Sequence, residues 1–188
     1  MQKWPECVRE VVIRESYGRA AVMRDFIAPD GAKFDDYLLW VARKRATIVL
    51  PVSTDGEVIY VKQYRFGVKE PVIEIPGGNP KGQQTPEDVA YAEVEEETGY
   101  VPGGLVRLPQ KKFLFEPATY DAFYHGFVAL GCTPTGKQKP DRTEFLEVCR
   151  APAAKWWEMI LGGEVEDDKT IAVSAVALPI LGVKLEFP

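Results

Sequence analysis

Four glutamates crowd the five positions from Glu93 to Glu97, in the run Glu93-Val94-Glu95-Glu96-Glu97-Thr98-Gly99. Carboxylates at that density suit a hard divalent cation, which takes oxygen ligands. The run belongs to a short helix by its end signals: Thr85 as N-cap, Pro86 at the first helical position, Asp88 three residues after the cap, and Gly99 as a left-handed stop. On a helix over 86–98, Glu93, Glu96 and Glu97 stand at i, i+3 and i+4 and share one face. Like charges so placed cost roughly a few tenths of a kcal/mol per pair. An acidic helix face can simply point at water, but the preceding residues argue for a ligand. An apolar strand and a tight turn, Ile73-Glu74-Ile75-Pro76-Gly77-Gly78, lead into the helix. Glycines let a loop backbone approach a ligand closely, and strand, glycine loop and acidic helix together suit metal-assisted chemistry on a diphosphate.

With these residues in place, the sequence resembles the Nudix hydrolases, whose signature is G-x5-E-x7-R-E-U-x-E-E-x-G-U with U aliphatic. Gly78 takes the first position, and Glu93, Val94, Glu96, Glu97 and Gly99 follow in unbroken register. Three positions depart: Gln84 for the first glutamate, Ala92 for the arginine and Tyr100 for the last aliphatic residue. The resemblance implies that Glu93, Glu97 and a loop carbonyl near Gly77 bind Mg²⁺, or Mn²⁺ in its place, with Glu96 assisting. The family's arginine orients the neighbouring glutamates by an ion pair, which Ala92 cannot make. Gln84 keeps an acceptor oxygen but loses a charge. One preorganised electrostatic contact is often worth roughly 3 kcal/mol, or about a hundredfold in rate, so slow catalysis or none is expected unless another cation replaces the arginine.

The likeness covers most of the chain and is similar in order to the ADP-ribose pyrophosphatase branch. Gln63-Tyr64-Arg65 closes an apolar strand, Glu74-Ile-Pro-Gly-Gly78 enters the box, Pro117 follows it, and Asp141 to Val148 matches an acidic loop and strand. That branch implies a Mg²⁺-dependent split of a nucleoside diphosphate derivative, ADP-ribose to AMP and ribose 5-phosphate. Water attacks phosphorus and a carboxylate takes its proton, Glu144 being the candidate base, or else an exposed strand-edge charge. Arg65 is a candidate phosphate contact or a surface ion pair. Glu74 either approaches the metals and substrate or pairs with Arg65. Trp40 either stacks on a purine or packs in a core or dimer interface. His125, Trp156 and Trp157 read as structural residues.

The elements that must carry these residues are mostly short strands: Val11–Ile13, Ala20–Met23, Tyr37–Val41, Thr47–Val52 and Val58–Val61 before the box, then Phe113–Phe115, Ala122–Leu130 and Phe145–Cys149 after it. Turns fall at Pro29-Asp-Gly31 and Thr54-Asp-Gly56, and helices near Ala151–Leu161 and Thr170–Leu178. The expected class is α+β, a mixed Nudix-type sheet between helices. Residues 1–45 form an N-terminal antiparallel accessory sheet and 46–188 the hydrolase domain; by resemblance the accessory sheet makes a homodimer.

The 188 residues suit one compact body, with 46% apolar residues to fill a core and no run able to span a bilayer. The first residues, Met1-Gln-Lys-Trp-Pro-Glu-Cys7, lack the apolar core of a secretion signal, and Cys7, Cys132 and Cys149 indicate neither a disulfide framework nor a zinc site. A cytoplasmic protein is expected. A net charge of −5 argues against nucleic-acid binding. Two other readings stay open: a Nudix hydrolase for another nucleotide sugar or a dinucleotide, and a catalytically silent Nudix module that binds a nucleotide or a protein partner.

Overall fold

The computed structural model describes residues 3–182. The chain divides into two compact units, one comprising the residues up to Arg45 with Leu114–Tyr124, the other Ala46–Phe113 and the residues from His125 onward. Inclusion of 114–124 in the first unit is a feature that the chain's local pattern did not suggest.

The first unit is an antiparallel sheet of β1 (Glu6–Ser16), β2 (Arg19–Ile27) and β3 (Lys33–Ala42). Tyr17 and Gly18 join β1 to β2 with φ of 49° and 72°, the paired left-handed conformations that let a two-residue hairpin follow the strand twist. A short strand at Tyr120–Asp121 adds to β3 in parallel, with Tyr120 opposite Trp40. Ala20, Val22, Leu39 and Val41 form this unit's core, with Phe26 against it. β1 is exposed along its whole length, Val8, Val12 and Ile13 included.

The second unit holds β4 (Ala46–Ser53), β5 (Glu57–Arg65), β6 (Glu70–Glu74), β7 (Gly77–Gly78), α1 (Pro86–Thr98), β8 (Tyr100–Val101) and β9 (Gly104–Arg107). After β10 (Phe113–Leu114) and the Tyr120–Asp121 strand, β11, come β12 (Phe123–Pro134), β13 (Leu146–Pro152), α2 (Ala153–Leu161) and α3 (Asp168–Ala177). The sheet runs β10-β12-β4-β5-β13, with β6 on β5, β7 on β4, and β8 and β9 on β12. β4 is buried almost throughout, as a central strand covered on both faces must be, and both α1 and α3 pack against it. Val49, Ile59, Ala90, Val94, Phe127 and Ala129 form the core between sheet and α1. This is the mixed sheet with flanking helices that the sequence implies.

Trp156 and Trp157 are buried, Trp156 donating to Ser174 Oγ at 3.1 Å and lying 5.1 Å from the Tyr60 ring. His125 sits 3.1 Å from an Arg107 guanidinium nitrogen, and burial followed by that charge holds its pKa below the usual value. The three cysteines are free thiols. Among the described residues no helix is long and apolar enough to cross a membrane.

Candidate active site

The glutamate helix forms where its ends dictate. Thr85 Oγ1 accepts from the Asp88 N–H at 3.1 Å, while the Asp88 carboxylate accepts from the Thr85 N–H at 2.9 Å. Two helix-end donors are thereby satisfied reciprocally. Gly99 closes the other end at φ 71°, its N–H donating to the Glu95 carbonyl. The resulting helix, α1, spans Pro86–Thr98, the range its end signals mark.

Its carboxylates do not share one fate. Val89, Glu93 and Glu97 fall one turn apart on a single stripe, and all three are buried, Glu93 to 7% and Glu97 to 3% exposure. Glu96 stays at the rim, where its Oε2 lies 2.6 Å from Lys81 Nζ. Two carboxylates driven inward need a reason, because burying an uncompensated charge costs several kcal/mol per ion. Burial pushes the Glu93 carboxyl up to about 7, with Glu96, Glu144 and Asp141 adding to the rise and Lys81 opposing it. Glu97 is raised well above the usual carboxylate range by burial, then by Glu93 and Glu144, against the Gly77 amide and Arg65. The two cations that moderate these charges are each engaged with another carboxylate, Lys81 with Glu96 and Arg65 with Glu74.

The glycine loop facing α1 is fastened from three sides. Gly77 and Gly78 pair with Ile48 and Thr47 of β4. Pro76 accepts from the Val49 N–H at 2.9 Å, and the Ile75 N–H donates to Thr170 Oγ1 at 3.1 Å. Thr170 is in turn held by Asp167, the N-cap of α3. A Cβ on Gly78 would run into the Glu93 carboxylate, and one on Gly77 would stand 2.7 Å from the Thr47 carbonyl oxygen and 2.5 Å from Ile48 Cδ1. The Gly78 backbone therefore lies in van der Waals contact with the Glu93 carboxylate, and the Gly77 backbone with β4. Gly77→Ala is expected to destabilise the protein by about 2 kcal/mol, lowering Tm by roughly 4–8 °C. Thermal melts of the purified variant check this; an unchanged Tm would mean the loop is not held against β4.

Arg65 ends β5 and grips Glu74 of β6 with two nitrogens, Nε lying 2.6 Å from Oε1 and Nη2 bonding Oε2. Of the two readings of Glu74, the structure shows the pair with Arg65. The glutamate side chain is buried, whereas the arginine keeps 44% of its surface exposed, so its remaining donors can meet a ligand. Glu144 closes its own turn: its Oε2 accepts from the Asp141 N–H at 2.7 Å and its N–H donates to the Asp141 carbonyl at 2.8 Å. It is half-buried and its charge acts on both Glu93 and Glu97. The second unit thus carries Arg65, Glu74, Gly77, Glu93, Glu96, Glu97 and Glu144. Trp40 belongs to the first unit, on β3, half-exposed.

Sequence reasoning did not single out Lys81, Asp167 or Thr170. Lys81 had a usable signal, being the only cation between Gly78 and Gly99. The Thr170 contact spans from α3 to Ile75, just after β6, and leaves no local mark.

Buried acidic oxygens beside a glycine-loop backbone fit a hard cation. Among the described residues no three His, Cys, Asp or Glu side chains converge to cage a metal on their own. Mg²⁺ commonly binds through one or two carboxylates and keeps several waters for exchange with substrate phosphates, and the donor set suits that mode.

Comparison with known proteins agrees with the geometry. A family model described as the NUDIX domain matches residues 42–154. The chain is 33% identical over 126 residues to the ADP-ribose pyrophosphatase of Bacillus subtilis (strain 168), covering 66% of this chain and 67% of that protein. It is 27% identical over 127 residues to a methanol dehydrogenase activator of Bacillus methanolicus, covering 67% and 68% respectively. The fold superposes on a crystal structure titled ADP compounds hydrolase with a TM-score of 0.81, over 97% of this chain and 96% of that one, at 17% identity. A buried glutamate pair set against a glycine loop, in a chain so matched, leaves one assignment: the protein belongs to the Nudix hydrolase family.

Proposed function

We propose that this chain hydrolyses the diphosphate bond of a nucleoside diphosphate derivative with Mg²⁺, or Mn²⁺ in its place, and that ADP-ribose is its substrate, giving AMP and ribose 5-phosphate. The observation that carries this reading is the inward turn of Glu93 and Glu97 against Gly77 and Gly78. Carboxylates kept at such electrostatic cost are suited to charge supplied from outside. Glu93, Glu97 and the Gly77 carbonyl would hold the metal, with Glu96 assisting from the rim. When bound, the ion neutralises charge developing on the diphosphate oxygens.

The remaining steps fall to the chain. Arg65, kept in place by buried Glu74, offers its free guanidinium edge to a phosphate oxygen. Glu144, on the loop whose charge acts on both box glutamates, takes the proton of the attacking water. Trp40, on the exposed side of β3, provides a flat face for a base. The exposed apolar residues of β1 and β3, Val8, Val12, Ile13 and Leu38, suit a second copy of the chain, making a homodimer of a cytoplasmic enzyme. The ADP-ribose pyrophosphatase relative supports the choice of substrate.

Ala92 favours a second reading, a silent module that binds a nucleotide without cleaving it. Chromatography of products from ADP-ribose, another nucleotide sugar and NADH, each with Mg²⁺, separates these readings. AMP and ribose 5-phosphate formed fastest from ADP-ribose is the expected result. Preference for another diphosphate would overturn the substrate, and thermal stabilisation by nucleotide without any product would overturn the hydrolase.

A further inference from the structure

The two departures from the Nudix signature that touch chemistry, Gln84 and Ala92, meet in one piece of structure. Gln84 Oε1 accepts from the Lys81 N–H at 2.7 Å, closing the loop between Gly78 and Thr85 on itself. From that turn the Lys81 side chain reaches α1, with Nζ 2.6 Å from Glu96 Oε2. Ala92 lies four residues before Glu96 on the same helix, the spacing at which two side chains meet. An arginine at position 92 would therefore pair with the carboxylate that Lys81 already occupies. The Lys81 charge also acts on Glu93, so one ammonium touches the rim glutamate and moderates the buried one.

We propose that Lys81, held in place by Gln84, replaces the signature arginine and is the positioning residue for the glutamate face of α1. The two substitutions are then coupled: Gln84 gives up a charge but keeps the acceptor oxygen that fixes the loop, and the loop supplies the cation that Ala92 lacks. This inference rests on the hydrolase reading above. The pair is solvent-accessible, with Lys81 53% and Glu96 34% exposed, and exposed pairs contribute little to stability. Removing the Lys81 charge should therefore change the site without unfolding the protein.

The test measures Mn²⁺ affinity by electron paramagnetic resonance, and kcat and KM for ADP-ribose, in Lys81→Met, Lys81→Arg, Gln84→Ala and the double variant Lys81→Met/Ala92→Arg, beside Glu97→Gln. Groups that orient metal ligands typically contribute 10–100-fold in affinity or activity. Lys81→Met is expected to lose about tenfold in Mn²⁺ affinity and in kcat, with unchanged Tm. Lys81→Arg should stay near the parent, Gln84→Ala should shift in the same direction as Lys81→Met, and the added arginine should restore the double variant. A merely structural lysine would not be rescued from position 92. Parent-like affinity and kcat in Lys81→Met, or a double variant as impaired as the single one, overturns the inference while Glu97→Gln still identifies the metal site. Parent-like Mn²⁺ binding in Glu97→Gln overturns the metal-site reading and this inference with it.

Discussion

Replacing Glu97 with glutamine is expected to reduce Mg²⁺-dependent ADP-ribose turnover at least a hundredfold while leaving the metal-free protein as stable as the parent or more so. The two halves have the same cause. Glu97 is 3% exposed, and its ionised form is opposed by burial and by Glu93 and Glu144. Glutamine fills the same space without the charge, so the metal-free fold loses a repulsive element. With it goes the oxygen charge that a divalent cation needs, and loss of one preorganised electrostatic contact is worth roughly 3 kcal/mol in the barrier, or about a hundredfold. Initial rates and thermal melts on one preparation check both. A variant that keeps full turnover, or that loses turnover only by unfolding, contradicts the role given to Glu97.

A second large effect is expected in the pH dependence of stability. Glu93 titrates at about 7 in the folded chain instead of the ordinary 4.5, and Glu97 is raised as well. Between those values the folded protein holds more protons than the unfolded chain, so stability falls as pH rises. The penalty begins near the unfolded value and is complete above the folded one. For Glu93 alone the shift corresponds to about 3 kcal/mol, which for a chain of this size is a Tm difference of roughly 6–12 °C. Metal-free protein should therefore melt lower at pH 8 than at pH 5, and Mg²⁺ should stabilise it at pH 8 far more than at pH 5, where binding must first displace protons. Glu97→Gln should flatten the profile. Equal Mg²⁺ stabilisation at both pH values would count against buried acids as the metal's ligands.

How much of this could be read beforehand depended on whether the cause was local. The α1 range was legible because Thr85, Pro86, Asp88 and Gly99 each have a chemical reason to stand at a helix end, and all four take those roles. β4 and β5 were legible as continuous apolar runs, which a central strand requires. β8, β9 and β11 were not, since two to four residues give periodicity nothing to repeat. The parallel pairing of Tyr120 with Trp40 joins positions far apart in the chain and has no local signal.

Within the site, residue types and spacing gave the glutamates but not their environments. A shared helix face said nothing of which carboxylates would be buried. The difference follows from packing: Glu93 and Glu97 continue the stripe of Val89, and Glu96 lies off it at the rim. The register of β5 on β6 sets Arg65 opposite Glu70 and Val61 opposite Glu74, so strand pairing gives no signal for the Arg65–Glu74 grip, which the side chains make along the sheet. Lys81 depends on a loop turn closed by Gln84, a residue that the signature marks only as a loss.

The most direct test of the central claim is a Mg²⁺ titration into chelator-treated protein while AMP formation from ADP-ribose is followed. The buried glutamate pair predicts a saturable rise from a metal-free baseline near zero, reversed by chelator. AMP formation at full rate without metal, or none at any Mg²⁺ concentration, would contradict it.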